Sequence, residues 1–211
     1  MAASREVHAV TGAFSYTGSY IANRLRESNI EVRALVRRVP ASPDHGYDCR
    51  PLQFADAGRL SGDLSGVTVL YNTYWIRFER GGMTFDEAVR NTAILARAAK
   101  QAGVKRIVHL SVSNPSPTSP FAYFRGKAAA EEAVVASGVP CSIIRPTLVF
   151  GDEDILINNI AWILRRLHVF VMPGQGDYRV QPVFVKDVAA LAVDEAKSTG
   201  NITLDAAGPR Q

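Results

Sequence analysis

Val7-His8-Ala9-Val10-Thr11-Gly12-Ala13-Phe14-Ser15-Tyr16-Thr17-Gly18 decides how the rest of the chain is read. Val7 to Val10 is a short apolar run of the kind buried on both faces of a parallel sheet. Thr11-Gly12 breaks it, and beyond Gly18 the apolar positions Ile21, Ala22 and Leu25 fall at helical spacing. A strand, a glycine turn and a helix bring backbone N–H groups and a helix N-terminus around a phosphate. Gly12 permits the tight turn, and Gly18 lets the helix approach the strand closely. The middle position, where backbone meets a pyrophosphate, is Ser15 instead of glycine. Serine is small and its hydroxyl can bond a phosphate oxygen, so binding is expected to be retained and weaker. The same loop also fits an ordinary strand-to-helix turn, and by itself it does not establish a dinucleotide site.

At 211 residues the chain can hold one good-sized core, or a domain with an appendage. A hydrophobic share of 47% and a charged share of 21% are those of a globular protein. The net charge of +4 is mild and no basic run exceeds two residues, which gives nucleic acid no footing as a partner. Cys49 and Cys141 lie far apart and read as reduced thiols, so a cytoplasmic location is expected. His8, His45, His109 and His168 have no metal-ligand spacing. Residues 1–6 are too short and polar for a signal peptide. The apolar run 155–164 is interrupted by Asn158-Asn159 and ends in Arg165-Arg166, so no membrane span is expected.

Taken in order, residues 31–36 read as a second strand, with Arg37 directly after it and 25 positions beyond Gly12. In a dinucleotide fold an acidic residue there bonds the ribose 2′-hydroxyl, whereas arginine accommodates a 2′-phosphate. Arg37 therefore favours NADP(H) over NAD(H), the alternative being a solvated surface arginine. Residues 39–50 read as loop and 52–54 as a third strand, with Asp56 placed to meet an adenine edge. Residues 67–71 form a fourth strand, and Asn72 stands at its carboxyl end, where ligands of open α/β sheets bind. Tyr74 and Trp75 beyond it either line a pocket or cover the sheet edge. Residues 85–102 give the clearest helix, residues 106–110 a fifth strand, 121–137 a helix and 141–144 a sixth strand that runs on toward Gly151. This alternation implies an α/β fold with a doubly wound parallel sheet. The remainder is less regular: a helix at 155–167, a glycine turn at 173–176, an extended stretch at 180–185, a helix near 187–196 and a strand at 202–205. Residues 1–151 are expected to form a dinucleotide-binding domain, and 152–211 a partial substrate-binding region interleaved with its last elements.

Tyr123 and Lys127 are four apart on a predicted helix and share a face. A phenol, with a pKa of about 10, becomes useful for acid–base work only when a cation stabilises its phenolate. Lys127 can supply that charge and also bond a nicotinamide ribose. Ser111 and Ser113, at the end of the fifth strand, can polarise a substrate oxygen. Such a set could move a proton while a nicotinamide cofactor moves a hydride, although an isolated Tyr-x-x-x-Lys is more often a surface pair.

Several further motifs fall in a fixed order: Thr11-Gly12…Gly18, Val36-Arg37, Asn91, the run from Val104 to Ser111, Tyr123-x-x-x-Lys127, Arg145-Pro146…Phe150-Gly151, and the run from Gln181 to Ala189. On these the chain resembles the short-chain dehydrogenase/reductase superfamily in its extended or atypical branch. That branch includes NmrA-like proteins, NAD(P)-dependent epimerases/dehydratases and the 39-kDa subunit of complex I. The resemblance implies a catalytic set of Ser113 (Ser111 as the fallback), Tyr123 and Lys127. It gives Asn91 either a proton-relay water or a structural bond across adjacent helices. It implies cofactor contacts from Thr11, Gly12, Phe14, Ser15, Tyr16, Thr17, Gly18, Arg37, Asp56, Asn72, Ser111, Lys127 and Pro146. Family members usually continue past Ala206-Ala207-Gly208-Pro209 with helices that close the pocket, so the resemblance implies a short version or a missing C-terminal piece. Two functions are consistent with it: an NADP(H)-dependent oxidoreductase or epimerase/dehydratase-like enzyme, and a cofactor-bound sensor or assembly factor without turnover. The expected partner is a small molecule with an apolar portion, held near Tyr74, Trp75, Phe78, Trp162 and Phe170. A second copy of the chain is a candidate partner as well.

Overall fold

The computed structural model describes residues 6–41, 46–167, 174–177 and 179–209. Among these residues, seven strands make one wholly parallel sheet: β1 (Val7–Thr11), β2 (Glu31–Val36), β3 (Asp48–Pro51), β4 (Val67–Asn72), β5 (Arg106–Leu110), β6 (Cys141–Pro146) and β9 (Ile202–Ala206). Their spatial order is β3-β2-β1-β4-β5-β6-β9. The order reverses between β1 and β4, which opens a crevice at the carboxyl ends of these two strands.

Six helices among the described residues connect the strands: α1 (Tyr16–Glu27), α2 (Ala57–Asp63), α3 (Phe85–Gln101), α4 (Ala122–Ala136), α5 (Ile155–Leu167) and α6 (Val185–Glu195). Successive strand residues point to opposite faces, and the two cores obey that rule. Val10, Val69, Tyr71 and Val108 face Ile21, Leu25, Val188 and Ala192 of α1 and α6. Ala9, Leu70 and Ile107 face Leu60, Leu95, Ala99 and Val134 of α2, α3 and α4. This is the doubly wound arrangement that the strand–helix alternation implies.

α3 begins where Thr84 caps it, its hydroxyl accepting the Glu87 N–H at 3.1 Å. Its buried face runs Ala88, Asn91, Thr92, Leu95, Ala96, Ala98 and Ala99, a small-residue surface that lets α4 pack closely. A short parallel pair, β7 (Leu148–Phe150) and β8 (Pro182–Phe184), lies apart from the main sheet. α5 buries none of its described residues and leaves Ile155, Leu156, Trp162, Leu164 and Leu167 exposed. No helix among the described residues is long and apolar enough to cross a membrane.

Two expectations are corrected, and one helix, α2, has no counterpart in the reading of the sequence. The third strand lies at Asp48–Pro51, ahead of residues 52–54. It is a half-exposed edge strand held by the Arg33–Asp48 ion pair (2.8 Å), so its composition is polar and its signal is charge pairing instead of hydrophobicity. α2 carries two glycines and buries only Leu60, and therefore lacks an apolar period. Residues 148–150, read as the tail of a strand, pair with β8 in a separate ladder. His45, His168, Phe170 and Pro173 lie outside the described residues, as do residues 1–5.

Candidate functional site

Gly12 takes φ +64°, a conformation that L side chains rarely adopt, and this turns the chain out of β1. Its carbonyl accepts the Ser15 N–H at 2.7 Å and the Ser15 hydroxyl at 2.6 Å. A Cβ on Gly18 would stand 2.1 Å from the Gly12 carbonyl oxygen, so only glycine lets α1 start this close to β1. The turn thus aims the first N–H groups of α1, on Tyr16, Thr17 and Gly18, toward the crevice, with Ser15 as N-cap. The Ser15 hydroxyl bonds inward, so the phosphate-facing donors here are backbone. Phe14 is exposed and packs against Tyr47, their centroids 5.6 Å apart.

Thr11 is buried and ties β1 to β4: its Oγ1 accepts the Thr73 N–H at 2.7 Å. Asn72 is also buried, its side-chain amide 3.0 Å from His109 Nδ1 and its Oδ1 accepting the Tyr74 N–H at 3.1 Å. Burial first, and then the Lys127 charge, push His109 down to about 3, which keeps this imidazole neutral. Arg37 is exposed immediately past β2. The Asp56 carboxylate is occupied in capping α2, accepting the Arg59 N–H at 2.9 Å.

A cavity of about 430 Å³ opens at the carboxyl ends of the strands. Its wall brings Ser15, Tyr16 and Thr17 of the glycine turn together with Ser111, Tyr123, Lys127 and Pro146. Ser113 and Asn91 are not part of that wall. The Ser113 N–H bonds the Pro146 carbonyl at 2.9 Å, and Asn91 donates to the Tyr74 hydroxyl at 2.9 Å. The fallback serine, Ser111, is the one that lines the cavity, and its buried hydroxyl has no hydrogen-bond partner among the described residues.

Lys127 is 3% exposed; its ammonium donates to the Leu110 carbonyl at 3.0 Å and lies 4.7 Å from the Trp75 ring centroid. Burial pushes it down to about 7, with Glu131 acting the other way. Tyr123 packs edge-on against Trp75 and Phe85, with centroids 6.2 and 5.7 Å away. Burial raises its phenol above the ordinary value, and the Arg77 charge opposes that. Tyr16, also on the wall, is pushed up to about 12 by burial and then by Asp154.

The alternatives left open for Tyr74 and Trp75 divide between the two residues. Trp75 lines the cavity, while Tyr74 turns to Asn91 and to Phe54, with ring centroids 4.9 Å apart. Phe78 is 81% exposed and Trp162 57% exposed, and neither lines the cavity. Its apolar wall comes instead from Ile76, Leu110, Val112, Leu148, Val149 and Leu156. Sequence reading passed over Arg77 and Asp154, which also line it, and Thr73 joins them from the carboxyl end of β4. Thr73, Trp75, Ile76 and Arg77 lie together on the segment after β4, a run too short and too mixed to read by hydrophobicity alone.

A doubly wound parallel sheet with a glycine-turned helix N-terminus at its switch point defines a Rossmann-like protein. The sequence profile of the NAD dependent epimerase/dehydratase family matches residues 8–198, and the chain belongs to that family. It is similar to "NADH dehydrogenase [ubiquinone] 1 alpha subcomplex subunit 9, mitochondrial" of Arabidopsis thaliana, with 29% identity over 92% of this chain and 51% of the relative. The Mus musculus protein of the same name is 30% identical over 90% of this chain and 53% of the relative. The chain therefore spans about half the length of these curated relatives. A solved structure described as "MoeE5 in complex with UDP-glucose and NAD" superposes with a TM-score of 0.76 at 23% identity, covering 96% of this chain and 76% of that one, a likeness of fold.

These relatives overturn the expectation of a cytoplasmic location, since both are mitochondrial proteins. Reduced cysteines separate reducing from oxidising surroundings, but they do not tell one reducing compartment from another.

Proposed function

We propose that the chain binds a nicotinamide dinucleotide along the crevice and acts as an NADP(H)-dependent oxidoreductase at a carbonyl or carbinol carbon. The observation that carries this is the single cavity wall shared by the glycine turn, Ser111, Tyr123 and Lys127. The fit of the dinucleotide rests on this structure: the φ of Gly12 and the close approach that Gly18 allows bring the first N–H groups of α1 to the crevice, and the Ser111 hydroxyl on the same cavity wall has no partner among the described residues. Gly12 and the N-terminus of α1 would hold the pyrophosphate, Arg37 the 2′-phosphate and Lys127 the nicotinamide ribose. The bound nicotinamide would supply hydride chemistry. Ser111 takes the role of polarising the substrate oxygen, because it reaches the cavity and Ser113 does not. Tyr123 gives or takes the proton at that oxygen, with the Arg77 charge opposing the burial that raises its phenol. On this reading residues 1–151 carry the cofactor, and 152–211 contribute to the substrate side through Asp154 and Leu156.

A second reading is a cofactor-binding subunit without turnover. It is favoured by the Lys127 ammonium being bonded to the Leu110 carbonyl under Trp75, and by the names of the relatives. One experiment separates the two readings: calorimetric titration of NADPH and NADH, followed by a carbonyl screen read by NADPH consumption in wild type and Tyr123→Phe. Turnover that falls at least about a hundredfold in Tyr123→Phe supports the enzyme. Tight NADPH binding with no turnover on any carbonyl supports the subunit, and absence of dinucleotide binding defeats both.

A further inference from the structure

Arg77 stands at the rim of the cavity, exposed, on the segment after β4 that also carries Thr73 and Trp75. Among the described residues its guanidinium makes no hydrogen bond or ion pair, although acidic side chains lie close in sequence. Those acids are engaged elsewhere: Glu79 accepts the Phe85 N–H at 2.9 Å, and Glu87 pairs with Arg90. The Arg77 charge is felt at Tyr123, which places it near the proposed reacting end of the cavity. Trp75, on the same wall and in edge contact with Tyr123, has a buried indole N–H with no partner among the described residues. The carboxylate on this wall, Asp154, is buried and accepts the Ile157 N–H at 2.6 Å, so it does not answer Arg77. A cation and a dry N–H donor with nothing to bond, flanking aromatic faces, describe half of an anion site.

We propose that Arg77 is a specificity-determining residue: with the Trp75 indole N–H it binds the anionic oxygens, carboxylate or phosphate ester, of a compact unsaturated substrate. The flat part of that substrate lies against Trp75 and Tyr123, and its neutral end reaches Tyr123. This deepens the reading of the cavity as a substrate site and rests on it, but the anion contact itself needs neither turnover nor a bound dinucleotide.

Phenyl phosphate is the probe, because it carries a dianion on an aromatic ring, and benzyl alcohol is its neutral counterpart. Binding is read by calorimetry and by quenching of Trp75 fluorescence in a Trp162→Phe background. Wild type should bind phenyl phosphate, Arg77→Gln should weaken it at least tenfold, and Arg77→Lys should retain an intermediate affinity. Benzyl alcohol should bind wild type and Arg77→Gln alike. Saturating NADP+ should leave phenyl phosphate affinity in place. Displacement by NADP+ would assign the probe to the phosphate cradle of α1 and overturn the proposal. Equal affinity in wild type and Arg77→Gln, or no binding by wild type, overturns it too. If neither dinucleotide binds but the Arg77 dependence holds, the cofactor reading fails and the anion site stands.

Discussion

The Lys127 ammonium lies 4.7 Å from the Trp75 ring centroid and 3.0 Å from the Leu110 carbonyl oxygen, with 3% of the residue exposed. One hydrogen bond and one aromatic face do not replace the water an ammonium loses, and burial pushes the group down to about 7. Unfolded, the same lysine titrates near 10.4. Between these values the unfolded chain holds a proton that the folded chain has released, so stability from this group rises with pH across that window. Each pH unit adds up to about 1.4 kcal/mol. Denaturant unfolding at pH 7 and pH 9.5 should show Lys127→Met more stable relative to wild type at the lower pH, with the gap closing at the higher. A gap independent of pH would mean that Lys127 stays charged in the fold.

Gly18 tests the turn. An alanine Cβ would meet the Gly12 carbonyl oxygen at 2.1 Å, and that oxygen belongs to backbone already bonded to Ser15. Relief requires α1 to move away from β1, against the packing of Ile21, Ala22 and Leu25. Gly18→Ala should therefore lose about 1–3 kcal/mol or more, seen as a lower melting temperature, and should lose dinucleotide affinity. Ser15→Leu should keep its melting temperature within a few degrees and lose affinity, because its side chain would fill the cavity wall. Unchanged affinity in Ser15→Leu would remove this turn from the site.

The glycine turn and α3 were legible because each depends on residues whose physics is local. Only glycine tolerates the φ of Gly12 and the approach at Gly18, and Thr84, Glu87 and Gly103 mark the ends of α3 by capping chemistry. β3 and α2 were not legible, because long-range pairing stabilises them: Arg33 with Asp48, and Leu60 with a core shared by β1, β2, β4, β5, α3 and α4. The site shows the same division. Tyr123 and Lys127 were visible as a helical pair, but the choice of Ser111 over Ser113 depends on where β5 ends against β6. The Ser111 N–H bonds Ile144 and the Ser113 N–H bonds Pro146, a register that sequence does not display. Asn91 satisfies Tyr74, a partner seventeen residues away on another element.

Arg37 leaves β2 directly after Val36, exposed and placed where an adenosine ribose would lie in this fold. A guanidinium gains a charge-assisted contact from a 2′-phosphate and nothing comparable from a 2′-hydroxyl. NADPH should bind at least tenfold more tightly than NADH, and Arg37→Asp should narrow or reverse that ratio. Calorimetric titration of both dinucleotides decides it, and equal affinities in wild type would sink the assignment.

Gly126 is the position that seats Trp75. A Cβ there would lie 3.2 Å from Trp75 Cη2, 3.3 Å from Trp75 Cζ2 and 3.2 Å from Phe85 Cβ. Gly→Ala within a helix ordinarily gains about 1 kcal/mol, and on an open face of α4 that gain would appear in full. Here the new methyl presses on an indole already stacked on Phe85, with centroids 6.1 Å apart, and the Phe85 Cβ is carried by the backbone of α3. The indole, which carries the Lys127 ammonium on its face, must therefore shift by a few tenths of an ångström. Gly126→Ala should fail to show the helix gain in melting temperature, and in a Trp162→Phe background it should change the Trp75 emission. It should also move the pH dependence of stability assigned to Lys127, which a purely local repacking of α4 would leave alone. Full helix stabilisation with an unchanged emission spectrum would show that Trp75 is not held by Gly126.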